Sequence, residues 1–281
     1  GVLWAGRRLA GRGGDLGNSR FMPGFYWKRR RAALLCAVIA MPAFSFQAPP
    51  NSSLTGFLPR GETLSYGAEW RLIRAGTAKL SWNAAAGDSR QAKLELRSAG
   101  MVNTLYRVND SYVASLARDW CASTVFIHAE EGRRRRDTRI TFDAERSKAS
   151  YLEQDLVKNA VAAQKEIDIA PCTHDILAAL FRLRSIRLNP GQSMQFPISD
   201  GKKFVGARVD AQVREQVKTP AGNYQTIRYE AFLFNDVLYR RSGRLFVWLT
   251  DDDLRVPVQI RARLRFHIGT ITLQLERQER P

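Results

Sequence analysis

Cys172, His174 and Asp175 crowd into one short segment, and a thiol, an imidazole and a carboxylate are the parts of a nucleophilic site. Such a site needs a free nucleophile with its base within hydrogen-bond reach across the fold. Two expectations stand for this segment. One is an envelope hydrolase that uses His174 and Asp175. The other is that Cys172 is bridged, while His174 and Asp175 form the first turn of a helix. Asp251-Asp252-Asp253 is the sharpest acidic cluster and a second candidate for hydrolase chemistry. Carboxylate oxygens suit a hard cation such as calcium, but the run lacks the alternating spacing of a calcium loop. It also sits between two strand patterns, where Asp is a common turn former. Arg261, Arg263, Arg265 and His267 recur at period 2, on one face of a strand whose other face is apolar. That face is either a solvated outer side or an anion-binding face for lipid headgroups or acidic polymer. The three histidines, His128, His174 and His267, are scattered without zinc-ligand spacing. No phosphate-cradling Gly-Lys-Ser/Thr loop, dinucleotide fingerprint or Gly-x-Ser-x-Gly elbow occurs. The expectation carried forward is a binder with no catalytic residue, no cofactor and no metal, and the hydrolase is its alternative.

Charge and cysteine usage place the chain before they explain it. The formal net charge of +17 invites a nucleic-acid partner. Part of it sits at the N-terminus, where residues 1–31 hold eight basic side chains against Asp15 alone. Lys28-Arg29-Arg30-Arg31 reads as a basic n-region, Ala32 to Met41 as a short apolar h-region, and Ala43-Phe44-Ser45 as a small-residue cleavage site. An uncleaved anchor or a buried helix with basic flanks are the other readings of that segment. The run Ala32 to Phe46 falls short of the roughly 20 residues that span a bilayer. Met22 reads as the start of translation, so residues 1–27 are an extension plus n-region, 28–48 the signal and 49–281 one β-rich domain. Export argues against a nucleic-acid partner. It also leaves two cysteines in the mature chain, Cys121 and Cys172, which are either one disulfide or two buried thiols.

The elements that position these residues are mostly strands. Alternation runs through Leu64, Tyr66, Ala68, Trp70 and Leu72, then after an expected turn at Arg74-Ala75-Gly76 through Ala78, Leu80 and Trp82. Further strands are expected around 92–96, 106–116, 122–129, 138–142, 205–213, 224–233, 244–249 and 256–275. In the last of these, a shift of the apolar parity at Gly269 suggests a β-bulge or bend. Met101 to Leu105 reads as one helical turn, and Arg133 to Arg136 as a solvated loop or hairpin end. One helix is expected at 174–187, capped by Thr173, with Ile176, Leu177, Leu180, Phe181 and Leu183 as its apolar stripe and Arg182, Arg184 and Arg187 at its C-terminal end. The fold class is mainly β (α+β): a curved antiparallel sheet or partial barrel with one helix packed in its concavity.

Three blocks carry a resemblance. They are Tyr66-Gly67-Ala68-Glu69-Trp70 with Ala75-Gly76; Cys172-Thr173-His174-Asp175-Ile176-Leu177; and Lys218-Thr219-Pro220-Ala221-Gly222 through Val247-Trp248-Leu249-Thr250-Asp251-Asp252 to Pro257-Val258-Gln259-Ile260 and Ile268-Gly269-Thr270-Ile271. Over residues 60–276 the chain resembles the bacterial exported family called domain of unknown function 3108. The resemblance implies an envelope protein with a curved β-sheet, no established activity and no catalytic residues to carry over. It is distantly similar in fold to Lol-type lipoprotein carriers, half-barrels that hold acyl chains, which is analogy alone. The expected location is periplasmic or envelope-associated. The expected partner is a lipid or an envelope protein, with peripheral membrane contact.

Overall fold

A computed structural model describes residues 61–85, 89–117, 119–265 and 269–280. All belong to the compact unit Ser52–Pro281. The signal segment, Met22, Cys36, Phe266, His267 and Ile268 lie outside the described residues.

The first half of the unit is a run of hairpins: β1 (Gly61–Trp70), β2 (Ile73–Ala84), β3 (Arg90–Ser98), the short helix α1 (Gly100–Leu105), β4 (Val108–Leu116), β5 (Ala122–Glu131), β6 (Arg134–Asp143), β7 (Lys148–Asp155) and β8 (Ala160–Asp168). After helix α2 (Ile176–Arg184) come β9 (Ser193–Ser199), β10 (Phe204–Thr219), β11 (Gly222–Ala231), β12 (Gly243–Thr250), β13 (Pro257–Leu264) and β14 (Gly269–Glu279). They form one 14-stranded sheet, β8-β7-β6-β5-β4-β3-β2-β1-β14-β13-β12-β11-β10-β9. Every pairing is antiparallel, and the first strand meets the last in the middle. No ladder joins the edges β8 and β9, so the curved sheet is not a closed barrel.

Other contacts cross that gap. Between β8 and α2 the chain runs extended between the start of β5 and the edge strand β9. Thr173 O accepts from the Ala122 N–H at 2.8 Å on one side. On the other, the His174 N–H donates to Pro197 O at 2.8 Å and His174 O accepts from the Ser199 N–H at 3.0 Å, a parallel bridge to Ile198. Lys165 of β8 donates to Lys202 O, in the β9–β10 turn, at 2.7 Å. The Cys121–Cys172 disulfide, Cα–Cα 5.0 Å, fixes this strap to the chain just before β5. Closing a loop of 51 residues contributes about 4 kcal/mol in the chain-entropy account.

The strap also resets the helix start. Thr173 and His174 keep extended backbones because their peptide groups are bonded on both flanks. The N-cap is therefore Asp175, which accepts from Leu177 N and Ala178 N at 3.1 Å each, and not Thr173. Thr173 is buried and donates instead to Ala170 O. The helix ends at Arg184, three residues short of the expected Arg187. Its face toward the sheet buries Leu177, Ala178, Phe181 and Leu183, and the Phe181 ring stacks on Trp120 at 5.2 Å and tilts against Trp82 at 6.1 Å.

Three strand expectations need correction. The first turn lies at Arg71-Leu72, both left-handed, and Gly76 lies inside β2 opposite Ala68. A Cβ at Gly76 would sit 2.1 Å from Arg97 O, so glycine there permits close strand approach rather than a turn. Residues 256–275 are two strands, and Gly269 (φ +76°) opens β14 opposite Leu264, so the parity change is a hairpin and not a bulge. Arg134, Arg135 and Arg136 belong to β6, and only Arg133 stays in the turn. Strands β7, β8 and β9 had no sequence expectation.

Phe181 is wholly buried, whereas Leu180 is half-buried. Phe181→Ala should lower unfolding free energy by about 3–5 kcal/mol, and Leu180→Ala by clearly less, in denaturant titrations of the disulfide-intact chain. Equal costs would place α2 differently in the trough.

Candidate functional site

The inner face of the sheet is continuous. Cross-strand register lines up Leu64, Leu80, Leu94, Tyr112, Ile127 and Thr138 in one row. Tyr66, Ala78, Leu96 and Asp110 form the next row, and Ala68, Leu273, Ile260 and Val247 the one after. Helix α2 covers part of this face and leaves the rest half-open. Leu94, Leu96, Tyr112, Ile127, Leu273 and Ile260 pack against the core yet remain partly exposed. Ile176 and Leu180 of α2 touch both apolar clusters of the core, again half-buried. Half-exposed apolar groups are ordinary on a convex surface. Here they lie along the inner face of the sheet, packed on the core and partly exposed.

Polar groups inside are few and held. The Tyr112 hydroxyl donates to Asp175 at 2.7 Å, tying the helix cap to β4. Burial pushes the Asp175 carboxyl above its usual range, and Tyr112 and the two cap N–H groups pull it back. Arg136 pairs with Glu153, which also accepts from the Tyr151 hydroxyl. Asp110 takes one hydrogen bond from the Glu130 N–H at 3.0 Å. Its pKa is pushed up to about 6, by burial first and by Glu131 second.

Beneath the helix lies a polar network with no counterpart in the sequence reading. Arg184 and Glu62 form a fully buried ion pair at 2.7 Å. The Arg184 Nε–H donates to Arg255 O at 3.0 Å and Nη2–H to Leu254 O at 3.2 Å. Gln278 donates to the other Glu62 oxygen at 2.7 Å. Buried Arg255, itself in a left-handed conformation, donates to Leu183 O at 3.3 Å and to the Tyr229 hydroxyl at 2.9 Å, which donates to Leu188 O at 3.0 Å. Arg184 looks in sequence like a C-terminal helix cation. What marks it is only that it falls on the stripe side, next to Leu183 and one turn after Phe181 and Leu180.

The candidates singled out from sequence are dispersed. Cys172 is in the disulfide and cannot be a thiolate nucleophile. Asp175 caps α2. Burial keeps the His174 pKa below the usual imidazole value, and its Nδ1 lies 3.2 Å from Pro197 O. Asp251 pairs with Arg214 at 2.7 Å, and Asp253 with Arg187 at 2.7 Å. Asp252 accepts from Thr250 Oγ1, Leu254 N and Arg255 N, the chemistry of a turn. Among the described residues no group of three or more His, Cys, Asp or Glu could hold a metal.

The arginine row is rearranged. Arg261 and Arg263 lie on the outer face of β13, while Arg265 follows the end of the strand and is not part of the row. Arg261 covers the Trp248 ring at 5.1 Å and Arg263 the Phe246 ring at 5.6 Å. Arg244 covers Phe246 at 4.8 Å and pairs with Glu230 at 2.6 Å, and Arg228 pairs with Glu215 at 3.2 Å. Trp248 donates to Glu215 at 2.7 Å. The arginine stems thus bury two aromatics that the outer face would otherwise expose. Inward, Val258 is buried and Ile260 and Leu264 are half-buried, as the alternation requires.

The family model described as protein of unknown function, DUF3108, matches residues 63–276. No curated protein matches the sequence. Among solved structures, the chain is similar to a β-barrel-like protein of domain of unknown function DUF1849 from Brucella abortus, with TM-score 0.51 and 8% identity, covering 79% of this chain and 98% of that one. It also matches a protein with a YmcC-like fold from Bacteroides fragilis, with TM-score 0.36 and 9% identity, covering 80% of this chain and 100% of that one.

Two outcomes follow from the buried groups. Glu62→Gln leaves the Arg184 charge uncompensated and should cost about 3–5 kcal/mol, whereas Glu62→Met with Arg184→Met should recover most of that loss by chemical denaturation. Asp110 titrates higher in the fold than in the unfolded chain, so the folded state binds its proton more tightly. Its contribution to stability therefore falls as pH rises from about 4 to about 6. Asp110→Asn should raise the melting temperature at neutral pH, and that gain should vanish below about pH 4.

Proposed function

The chain belongs to the DUF3108 family of proteins of unknown function, and we propose that its half-barrel is a non-enzymatic envelope module that binds an apolar or amphipathic ligand in the lumen. The observation that carries this reading is the inner wall, where Leu94, Leu96, Ile127, Ile176, Leu180 and Leu273 face inward and are only partly covered. Apolar walls with a few fixed polar groups suit a ligand with a hydrocarbon body and a polar end. Asp110 and the Arg136–Glu153 pair, on the same face, would meet that polar end.

An oxidising compartment fits the disulfide, because cytosolic thiols stay reduced. Export through the segment 28–48 would deliver the chain there. Enzymatic readings lack a converging set of groups: the thiol is bridged, Asp175 is a cap, and the three Asp of 251–253 serve separate turn and ion-pair contacts.

Native mass spectrometry of the chain purified from its own envelope should show a co-purifying lipid-sized adduct. Displacement of a long-chain fluorescent fatty acid should weaken about tenfold in Leu96→Arg and in Ile127→Arg, which is roughly 1.4 kcal/mol. Phe126→Arg, next in sequence but on the outer face, should bind as the unmodified chain does. Equal binding by all three would remove the lumen from the reading.

A further inference from the structure

The two ends of the strands differ. Antiparallel order puts seven connections at one end, β9–β10, β11–β12, β13–β14, β1–β2, β3–β4, β5–β6 and β7–β8, and the last five follow one another along the sheet. Backbone bonds hold these connections side by side. The Arg71 N–H donates to Thr270 O at 3.0 Å, Ala99 N–H to Ala75 O at 2.8 Å, Gly132 N–H to Arg107 O at 2.8 Å and Leu156 N–H to Arg135 O at 2.9 Å. They therefore make one continuous rim.

That rim carries exposed apolar side chains that packing does not explain. Leu72 is 91% exposed and Ile73 50%. Met101 is 65% and Leu105 73% exposed, one helical turn apart on α1, a helix that buries no residue at all. Val157 is 64% exposed in the β7–β8 turn. Leu72 also occupies a left-handed position (φ 71°) that Gly or Asn fills at little cost. A leucine kept there, almost fully in water, contributes nothing to the core. Exposed basic residues flank these groups, with Arg71 beside Leu72, Arg107 after α1, Arg133 at the β5–β6 tip and Lys158 after Val157. Arg263 and Arg265 extend the basic flank beyond Thr270. At the opposite end the connections are of another kind, with the acidic turn Asp251–Asp253 and no exposed large apolar side chain among the described residues.

We infer that this rim docks on a membrane surface carrying anionic phospholipids. Leu72, Ile73, Met101 and Leu105 enter the headgroup region, and the flanking guanidinium groups meet the phosphates. Apolar tips ringed by cations match an interface that is apolar within and negative at its edge. A nucleic acid would match the cations and leave the leucines unanswered. The inference goes beyond the lumen reading and does not depend on it.

The test uses the envelope-purified chain with phosphatidylcholine vesicles, with and without phosphatidylglycerol. Cosedimentation should require phosphatidylglycerol, weaken with added salt, and fall about tenfold when Leu72, Ile73, Met101 and Leu105 are all changed to Ser. Because these sites are exposed, the melting temperature should not change. A local readout separates the rim from the N-terminal apolar segment: an environment-sensitive dye on Leu72→Cys, in a Cys36→Ser chain, should shift its emission to the blue only with the anionic vesicles. Equal cosedimentation of the fourfold variant, or an emission that ignores those vesicles, would overturn the inference. So would a dimer in analytical ultracentrifugation that the same four changes abolish, since that would assign the rim to a second copy.

Discussion

Arg184 and Glu62 sit where water cannot reach them, and most of the interior around α2 is arranged to make that tolerable. A buried ion pair returns its desolvation cost only if its remaining donors and acceptors are also satisfied. Arg184 meets this at Nε and Nη2 through the carbonyls of Arg255 and Leu254, and Glu62 at Oε1 through Gln278, while Nη1 and Oε2 face each other. Those partners come from the β12–β13 connection and from β14. The pair therefore fixes the C-terminal half of the helix against both halves of the sheet at once. Arg255, held beside it, repeats the device with Leu183 O and Tyr229. The N-terminal half is fixed separately, by Asp175 as cap and by Tyr112 reaching across from β4. A helix of nine residues has little stability of its own. Its place in the trough comes from these two anchors and the aromatic stack between them.

An open sheet of 14 strands has two edges to manage, and neither is closed by a ladder. The strap through Thr173 and His174 bonds the start of β5 and the edge strand β9, and the disulfide pins it. Edge β8 is otherwise exposed, and it carries Lys165 and Glu166, charges that discourage a second chain from pairing. Because closure uses one strap and a few side chains, the sheet stays open and part of its inner face stays half-exposed. A fully closed ladder with a filled core would leave Leu96 and Ile127 buried. They are not.

Much of this was readable from residue order. Period-2 alternation located β1, β2, β3 and β10 because one face of each is apolar and buried. Cys121 and Cys172 paired as an even count in an exported chain suggests, and the stripe Leu177, Phe181 and Leu183 faced the sheet. Strand β8 went unread for a physical reason: it is an edge whose residues are nearly all exposed, so its polar and small residues carry no strong alternation. The parity shift at Gly269 was visible, but alternation alone does not distinguish a bulge from a tight hairpin. Arg184 and Glu62 were out of reach in sequence, since 122 residues separate them and either charge alone reads as solvated. Arg261 and Arg263 were placed on the outer face, yet their role as covers for Trp248 and Phe246 depends on β12 lying alongside.

The same logic separates the two ends of the strands. At the end that carries the strap and the Asp251–Asp253 turn, side chains are engaged: Asp252 orders its turn, Asp251 and Asp253 meet Arg214 and Arg187, and Cys172 is bridged. Such contacts account for the residue types found there. At the other end Leu72, Met101 and Leu105 have no contact that accounts for theirs, and Leu72 sits in a backbone conformation that disfavours it. Stability selects against that choice, since glycine or asparagine would relieve the strain and a polar residue the exposure. A residue that the fold does not need, held where the fold would prefer another, points outward for its explanation. The inner wall poses the same question with Leu96 and Ile127, half-covered on a face built to be covered. The two proposed binding roles rest on these two sets of exposed or half-exposed apolar side chains.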